Sequence, residues 1–220
     1  MKIGELYNKK DKTKMNKKLN DFNISVPETG KIVAIARHGS TNNNGDKVFR
    51  GWEENPDNQL TDKGIQDAKN LGESVKKMIG KDNPNDYVLV CSDLNRAQDT
   101  ADIVSQITGI PLGKSYKELR SQDTGDFTGK KEKDVKKEIT NLIDKNPNKP
   151  LPGASESHVE FLNRVKGILS PDGKIAKDYP KKKIIAILHH QVEVEQANNF
   201  SSATDAMFDK GIEPGGLRKV

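Results

Sequence analysis

The stretch KIVAIARHGSTNNNGDK, residues 31–47, joins an unbroken aliphatic run to an Asn-rich loop, with Arg37 and His38 at the junction. Two more aliphatic runs of similar length follow, YVLVCS at 87–92 and KIIAIL at 183–188. None of the three alternates polar and apolar residues, and continuous runs rich in β-branched side chains are typical of strands covered on both faces. The three runs therefore predict a parallel or mostly parallel sheet.

The segments between the aliphatic runs show helical periodicity. Apolar residues recur every three or four positions over 65–79 and again over 97–107, ahead of a Gly-Ile-Pro break. Ser157 and Glu160 form an S-x-x-E capping box that opens a third predicted helix. Strands alternating with helices predict an α/β protein, a three-layer αβα sandwich around a mostly parallel central sheet.

The domain organisation follows from length and local composition. At 220 residues the chain can bury one sizeable core, and we predict a single α/β domain over residues 31–220. Residues 1–30 form a Lys-rich extension that we interpret as a flexible, solvated tail. Its first half carries most of the charge, with seven lysines between positions 2 and 18.

The segment at about 113–155 differs from the rest of the predicted domain. It is rich in Lys, Asn and Pro, and only Val135, Ile139 and Leu142 suggest a helix. We predict an insertion over the sheet edge, in the position of a lid. Together with the loop at 45–60 it would set the selectivity of a pocket, and neither segment contains a recognisable specificity motif.

The composition excludes several classes of protein. A net charge of +5 is a modest excess, so we expect no nucleic-acid partner. Neither a secretory signal nor a run of ~20 apolar residues is present, and we expect a cytoplasmic protein without a membrane partner. The single Cys91 sits in an apolar run, where a buried thiol in a reducing compartment is the simplest account. The sequence does not indicate an oligomeric state.

Polar residues follow each aliphatic run. Arg37 and His38 end the first run, and His189 and His190 follow the third. Arg96 lies four residues beyond the second run, one turn into the next predicted helix. Because ligands bind beyond the carboxyl ends of the strands in open α/β sheets, we expect two arginines and two or three histidines to meet in one crevice.

This set of side chains suits phosphoryl chemistry. Arginine presents a planar fork of donors to phosphoryl oxygens, and a neutral imidazole can attack phosphorus to form a covalent phosphohistidine. A second histidine can donate to an equatorial oxygen as the charge shifts, and Gly39 would let the backbone pass close to His38 and orient its ring. No metal or cofactor is expected, since the sequence lacks the clustered carboxylates or Cys/His spacing typical of a metal site.

Several blocks of the sequence match, in order, the motifs of one known family. RHGSTNNN resembles RHG-[ETQS]-x-x-x-N, FRGWEENPDNQLTDKGIQDA resembles F-x-G-x…LT-x-x-G-x-x-QA, and VCSDLNRAQDTADIV is similar to S-x-L-x-RA-x-x-TA. ELRSQDTGDFTGK resembles L-R-x-x-x-x-G-x-x-x-G, while PGASESHVEFLNRV and IIAILHH are similar to the last two motifs. These collinear blocks, from 31 to about 190, resemble the histidine phosphatase superfamily, the phosphoglycerate-mutase-like family.

The resemblance implies a role for each matching residue. His38 would be the nucleophile that attacks phosphorus. Arg37, Arg96 and His189 would bind the phosphoryl group, without a metal or a cofactor. The substrate-binding residues would be Asn44, through a hydrogen bond from the loop, with Thr41 and Gly39 close by.

One position departs from the family pattern. Many members carry a glutamate after the Leu-Arg pair, as proton donor to the leaving oxygen, and this chain has Ser121 there. A serine hydroxyl does not act as a general acid near neutral pH. We rank Asp123 first as the replacement acid, followed by Asp126 and Glu156, with Glu193 as the nearest carboxylate after the second histidine.

The resemblance and the residues together favour a metal-independent phosphatase. Its substrate would be a small phosphorylated molecule, hydrolysed through a phosphohistidine on His38, as in histidine acid phosphatases. Two alternatives stay open. A phosphoglycerate-type mutase would pass the phosphoryl group to a second acceptor, and a non-catalytic protein of the same fold would only bind phosphate or polyanions.

Overall fold

The computed structural model describes residues 30–42, 48–192 and 211–220. The strands among these residues are β1 (Lys31–Arg37), β2 (Tyr87–Ser92), β3 (Leu112–Tyr116), β4 (Lys183–Leu188) and β5 (Leu217–Lys219). They form one sheet in the order β3-β2-β4-β1-β5, in which only the β1–β5 pair is antiparallel. The mostly parallel sheet predicted from the three aliphatic runs is confirmed.

Helices fill the segments between the strands. The predicted capping box is present, because Ser157 Oγ accepts from Glu160 N and the Glu160 side chain accepts from Ser157 N. The first helix is capped in a similar way, with Thr61 Oγ1 accepting from Gly64 N. The α-helices are α1 (Asp62–Ile79), α2 (Asn95–Thr108), α3 (Glu132–Lys145), α4 (His158–Leu169) and α5 (Lys174–Asp178), and short 3-10 helices lie at Pro56–Asn58, Pro84–Asp86, Lys117–Leu119 and Gly125–Phe127.

The two faces of the sheet are covered by different helices. Leu71 of α1 and Val104 of α2 pack on the face that includes Ile185, whereas Phe161 of α4 packs on the face that includes Ile184. Successive strand residues point to opposite faces, so both must be apolar when both faces are covered. Burial of each such side chain contributes about 1.5–3 kcal/mol. The three-layer αβα sandwich is confirmed.

The predicted insertion at 113–155 begins later than expected. Its first residues form β3, an edge strand of the central sheet, which the sequence did not reveal because LGKSY contains no aliphatic run. The remainder includes α3, which buries Val135, Ile139 and Ile143 in a small core of its own. Leu142 was expected on this inward face but is 38% exposed, since the buried stripe advances in steps of four residues.

The last ten residues add the antiparallel strand β5, which the sequence did not predict. Leu217 pairs with Ala36 of β1, and Gly215 N donates to the Arg37 carbonyl at 3.1 Å. This pairing brings the segment just before β5 to the end of β1. The Lys-rich extension predicted at 1–30 lies, apart from its last residue, outside the described residues. None of the helices in the described ranges is both long and apolar enough to cross a membrane.

Candidate active site

Strands β1 and β4 end side by side. Arg37 is paired with Leu188 in the sheet, and His38 N donates to Leu188 O at 3.1 Å. His38 and His189 are therefore the next residues along two adjacent parallel strands. Their ring centroids lie 5.1 Å apart with the rings inclined at 60°, and the two residues are only 2% and 3% exposed.

Arg96 reaches the same place from the first turn of α2. It is 2% exposed, and it lines a cleft of ≈ 680 Å³ together with Arg37, His38 and His189. We call these four residues the strand-end cluster. Within the part of the chain that the structure describes, Nε and Nη1 of Arg96 and both ring nitrogens of His189 have no hydrogen-bond partner. Because buried polar atoms are normally paired, the cluster is suited to receive an anion.

The tautomer of His38 follows from its contact with the next residue. Nδ1 lies 2.7 Å from the Gly39 carbonyl oxygen, which can only accept, so Nδ1 carries the proton. Nε2 then presents its lone pair to the cleft.

A glycine is required beside this histidine. A Cβ on Gly39 would lie 2.3 Å from the Gly64 carbonyl oxygen of α1, and Gly39 N donates to Thr100 Oγ1 at 3.1 Å. Gly39 is not among the residues that line the cleft. Its carbonyl orients the His38 ring from behind, and its contact with substrate stays a prediction.

Burial keeps both histidines neutral. It is the main cause that lowers the pKa of His38 well below the ordinary 6.5, with further lowering by His189 and Arg96. Burial also lowers the pKa of His189 well below 6.5, and Arg96 and Arg50 add to the effect. An imidazole in this environment keeps the lone pair that a nucleophile needs.

A third arginine, Arg50, lines the cleft and was missed by the sequence analysis. Its Nη1 lies 3.5 Å from His38 Nε2. Burial lowers the pKa of Arg50 to about 9, and repulsion from Arg96 and Arg37 contributes. The family pattern F-x-G leaves this position open, so no motif pointed to Arg50.

The loop after His38 is described only in part. Thr41 is 3% exposed and lines the cleft, close to the strand-end cluster as expected. Asn44 lies outside the described residues, so its predicted hydrogen bond stays a prediction. Arg37 also lines the cleft, and its Nη1 donates to the Ile212 carbonyl oxygen at 2.9 Å.

The structure does not bring Asp123 to the cleft. Its carboxylate accepts hydrogen bonds from Gly125 N at 2.9 Å, Ser155 N at 2.8 Å and Ser155 Oγ at 2.7 Å. Burial alone would raise the pKa of Asp123, but these hydrogen bonds outweigh it and lower the pKa below its ordinary value. A carboxylate with this pKa and these partners is poorly placed to donate a proton, and the assignment of Asp123 as the acid stays a prediction that the geometry does not favour.

The other acid candidates do not reach the cleft either. Asp126 and Glu156 are absent from its lining, and Glu156 forms an ion pair with Arg164, whose Nε donates to Oε2 at 2.8 Å. Glu193 lies outside the described residues. Ser121 does line the cleft. Of the described residues, the carboxylates that line it are Glu132 and Glu213.

No cluster of three or more His, Cys, Asp and Glu side chains with the arrangement of a metal site occurs among the described residues. The polar lining of the cleft instead includes three guanidinium and three imidazole groups. Such groups recognise a tetrahedral oxyanion through charge and directed hydrogen bonds.

A mostly parallel α/β sheet whose strands end in arginines and histidines is the fold and site expected for the phosphoglycerate-mutase-like class. A sequence profile of the histidine phosphatase superfamily (branch 1) matches residues 33–194. The chain belongs to this superfamily.

Its relatives include both mutases and phosphatases. A 2,3-bisphosphoglycerate-dependent phosphoglycerate mutase of Beijerinckia indica is 31% identical over 195 residues, which are 84% of this chain and 83% of that protein. The uncharacterized phosphatase PhoE of Bacillus subtilis is 28% identical over 158 residues, 71% of this chain and 70% of that protein. A mutase of Rhodopseudomonas palustris is 33% identical, but over only half of each protein.

Solved structures support the same fold. The alpha-ribazole phosphatase of Shigella flexneri superposes with a TM-score of 0.60 at 25% identity, covering 84% of this chain and 87% of that one. A mycobacterial glucosyl-3-phosphoglycerate phosphatase in complex with VO3 gives 0.60 at 21% identity, covering 84% and 88%. The second likeness shows the fold alone.

Proposed function

We propose that this protein is a metal-independent phosphatase that hydrolyses a small phosphomonoester through a phosphohistidine on His38. The observation that supports this most directly is the state of the His38 ring. Its Nδ1 proton is held by the Gly39 carbonyl, so the Nε2 lone pair faces a cleft lined by three guanidinium groups. The superfamily and its phosphatase members are consistent with this activity.

In the first step, the Nε2 lone pair of His38 attacks phosphorus and forms an N–P bond. The ester P–O bond breaks with its electron pair on the leaving oxygen, which takes up a proton from water. Arg37 and Arg96 would bind the equatorial oxygens, and neutral His189 has one ring N–H to donate. Because these donors are buried or half-buried and line the cleft before the substrate arrives, each can contribute about 10²–10³ in rate.

In the second step, water attacks the phosphorus of the phosphohistidine. The P–N bond breaks, its electron pair returns to Nε2, and inorganic phosphate leaves. The low pKa of His38 keeps the ring unprotonated in mildly acidic solution. This supports a phosphatase of the acid type, since activity would persist below pH 6.5, where an ordinary histidine becomes protonated.

A phosphoglycerate-type mutase is the second candidate, favoured by the 31% identity with the Beijerinckia indica mutase. It would differ in the fate of the phosphohistidine, which would transfer its phosphoryl group to an acceptor hydroxyl instead of water. Ser121 favours the phosphatase, because the family's mutases are expected to have a glutamate at that position.

Turnover of p-nitrophenyl phosphate with a metal chelator present tests the proposal. The nitrophenolate is a weakly basic leaving group, so the test does not depend on finding the general acid. We expect hydrolysis by the wild type and a loss of at least about 10³-fold for His38→Ala. Lys133→Ala, an exposed change on α3, is the matched control and should retain wild-type activity.

The outcomes separate the alternatives. Labelled phosphate trapped covalently on the wild type but not on His38→Ala supports the phosphohistidine. Transfer between phosphoglycerate positions without release of phosphate would replace the phosphatase with the mutase. A wild type as inert as His38→Ala, and without either transfer, would contradict both and leave a phosphate-binding protein.

A further inference from the structure

Arg50 is held at the cleft by the chain on both sides of it. Phe49 N donates to Lys130 O at 3.0 Å, and Phe49 O accepts from Gly129 N at 2.7 Å. Gly51, the next residue, has a φ of +56°, and a Cβ there would lie 2.5 Å from Thr128 Oγ1. The segment is therefore fastened to the loop that precedes α3, so Arg50 is presented from a defined backbone.

The guanidinium of Arg50 is the third guanidinium that lines the cleft. Its Nη1 is 3.5 Å from the Nε2 atom of His38, the nitrogen whose lone pair faces the cleft, and Arg37 and Arg96 line the same space. Among the described residues, no carboxylate forms an ion pair with Arg50. Burial and, to a smaller extent, repulsion from Arg96 and Arg37 lower the pKa of Arg50, so the empty site disfavours its charge.

An oxyanion between the three groups would reverse this repulsion. We infer that Arg50 is a third phosphoryl-binding arginine, which hydrogen-bonds the oxygens of the same phosphoryl group that His38 attacks. When Nε2 of His38 is bonded to phosphorus, the phosphoryl oxygens lie close to Nε2. Because Nη1 of Arg50 is 3.5 Å from Nε2, those oxygens would lie within hydrogen-bonding distance of Arg50. The inference rests on the proposed function, since that function supplies the phosphoryl group.

The competing explanation is that Arg50 only braces its loop. The two explanations predict opposite effects on stability. A phosphoryl-binding arginine costs stability while its site is empty, because its charge is desolvated and repelled, as is common for functional residues. A brace stabilises the loop whether or not an anion is bound.

Calorimetric titration with inorganic phosphate at neutral pH tests the inference without turnover. Arg50→Gln should weaken phosphate binding by about 10- to 100-fold, the range expected for loss of a charged hydrogen bond. Arg50→Lys keeps the charge but loses the planar fork, and should give an intermediate loss. Lys133→Gln removes one exposed positive charge on α3 and should bind phosphate as the wild type does, within about 2-fold.

Thermal melting completes the experiment. In phosphate-free buffer, Arg50→Gln should have a Tm equal to or above that of the wild type, with a smaller rise when phosphate is added. Phosphate affinity unchanged by Arg50→Gln, or a wild type that does not bind millimolar phosphate, would overturn the inference. If Arg50→Gln does not fold, Arg50→Lys decides, and wild-type affinity in that variant would count against phosphoryl binding.

The proposed function can fail separately. Turnover of p-nitrophenyl phosphate is measured on the same preparations. A wild type that binds phosphate through Arg50 but has no turnover would contradict the phosphatase and retain the inference. Turnover by the wild type, together with phosphate affinity that is the same in wild type and Arg50→Gln, would support the phosphatase and contradict the inference about Arg50.

Discussion

Two regions of the molecule gather polar side chains, and they differ in how many of the polar atoms have hydrogen-bond partners. In the strand-end cluster, Arg96 and His189 keep donor atoms without a partner among the described residues. In a second group, the loop network, the polar atoms are paired. The loop network consists of Asp123, Ser155, Glu156 and Arg164, joined by hydrogen bonds from Ser155 to Asp123, from Asp123 N to Glu156 and from Arg164 to Glu156.

This difference in hydrogen bonding indicates which polar residues stabilise the fold and which are available to bind a ligand. A carboxylate that already accepts three hydrogen bonds, as Asp123 does, stabilises a loop and is poorly suited to exchange protons. A buried guanidinium with unpartnered nitrogens costs free energy, which a bound oxyanion would recover. Chemistry is therefore expected from the strand-end cluster, and folding stability from the loop network. Four changes test this division, in decreasing order of expected effect.

Arg96→Lys should have the largest effect on catalysis. Lysine keeps a positive charge but cannot bind two oxygens with a planar fork, and we expect kcat/KM to fall about 10²–10³-fold. Steady-state kinetics with p-nitrophenyl phosphate measures the loss. Arg218→Lys, on β5 and outside the cleft lining, is the matched control. A loss of stability with unchanged kcat/KM would place Arg96 with the structural residues.

Glu156→Gln should act on stability instead. It removes the carboxylate that pairs with Arg164, whose side chain is only 18% exposed, and we expect the free energy of unfolding to fall by about 1.5–3 kcal/mol. Urea denaturation measures this, with the exposed Glu53→Gln as control. The kcat of the folded fraction should stay within about 3-fold of the wild type. A large loss of kcat without loss of stability would contradict the division.

The low pKa values of the two histidines should make stability depend on pH. Below pH 6.5 these two histidines bind protons in the unfolded chain but stay unprotonated in the native protein. The free energy of unfolding therefore falls as pH falls. His189→Asn removes one of the two groups and should make that decline shallower by about 1.4 kcal/mol per pH unit. Denaturation between neutral pH and about pH 5 in phosphate-free buffer checks the slope. Identical slopes would mean that His189 is not kept neutral by burial.

Asp123→Asn should have the smallest effect on catalysis. The side chain does not line the cleft, so we expect kcat within about 3-fold of the wild type and an unchanged pH profile. Stability should fall modestly, since an amide can accept only some of the three hydrogen bonds. Loss of the basic limb of the kcat profile in this variant would restore Asp123 as the general acid. Ser155→Ala, which removes one partner of Asp123, is the control for the structural effect.

Features that depend on local residue patterns or on family motifs could be predicted from the sequence. Continuous aliphatic runs identified β1, β2 and β4, and the capping box located the start of α4 at His158. The edge strand β3 and the short β5 escaped, because LGKSY and LRK have no periodic apolar pattern. Their pairing depends on a neighbouring strand that is distant in the sequence, and the residues of the short segment alone do not indicate it.

The same contrast applies to the candidate site. Arg37, His38, Arg96 and His189 could be predicted, since strand ends and a helix's first turn fix where their side chains can go. Arg50 and Asp123 could not. Both lie on loops, whose side chains turn toward or away from a cleft according to distant partners: Lys130 and Gly129 for the first, Ser155 for the second.

The sequence alone determined the mostly parallel sheet, the αβα layers and the four Arg and His residues of the strand-end cluster. These follow from side-chain patterns of a few residues' span, repeated along β1, β2 and β4. Only the tertiary structure decided that a third guanidinium lies next to Nε2 of His38 and that Ser155 hydrogen-bonds the carboxylate of Asp123. Hydrogen bonds between residues far apart in the chain decide such loop conformations, and local sequence does not contain them.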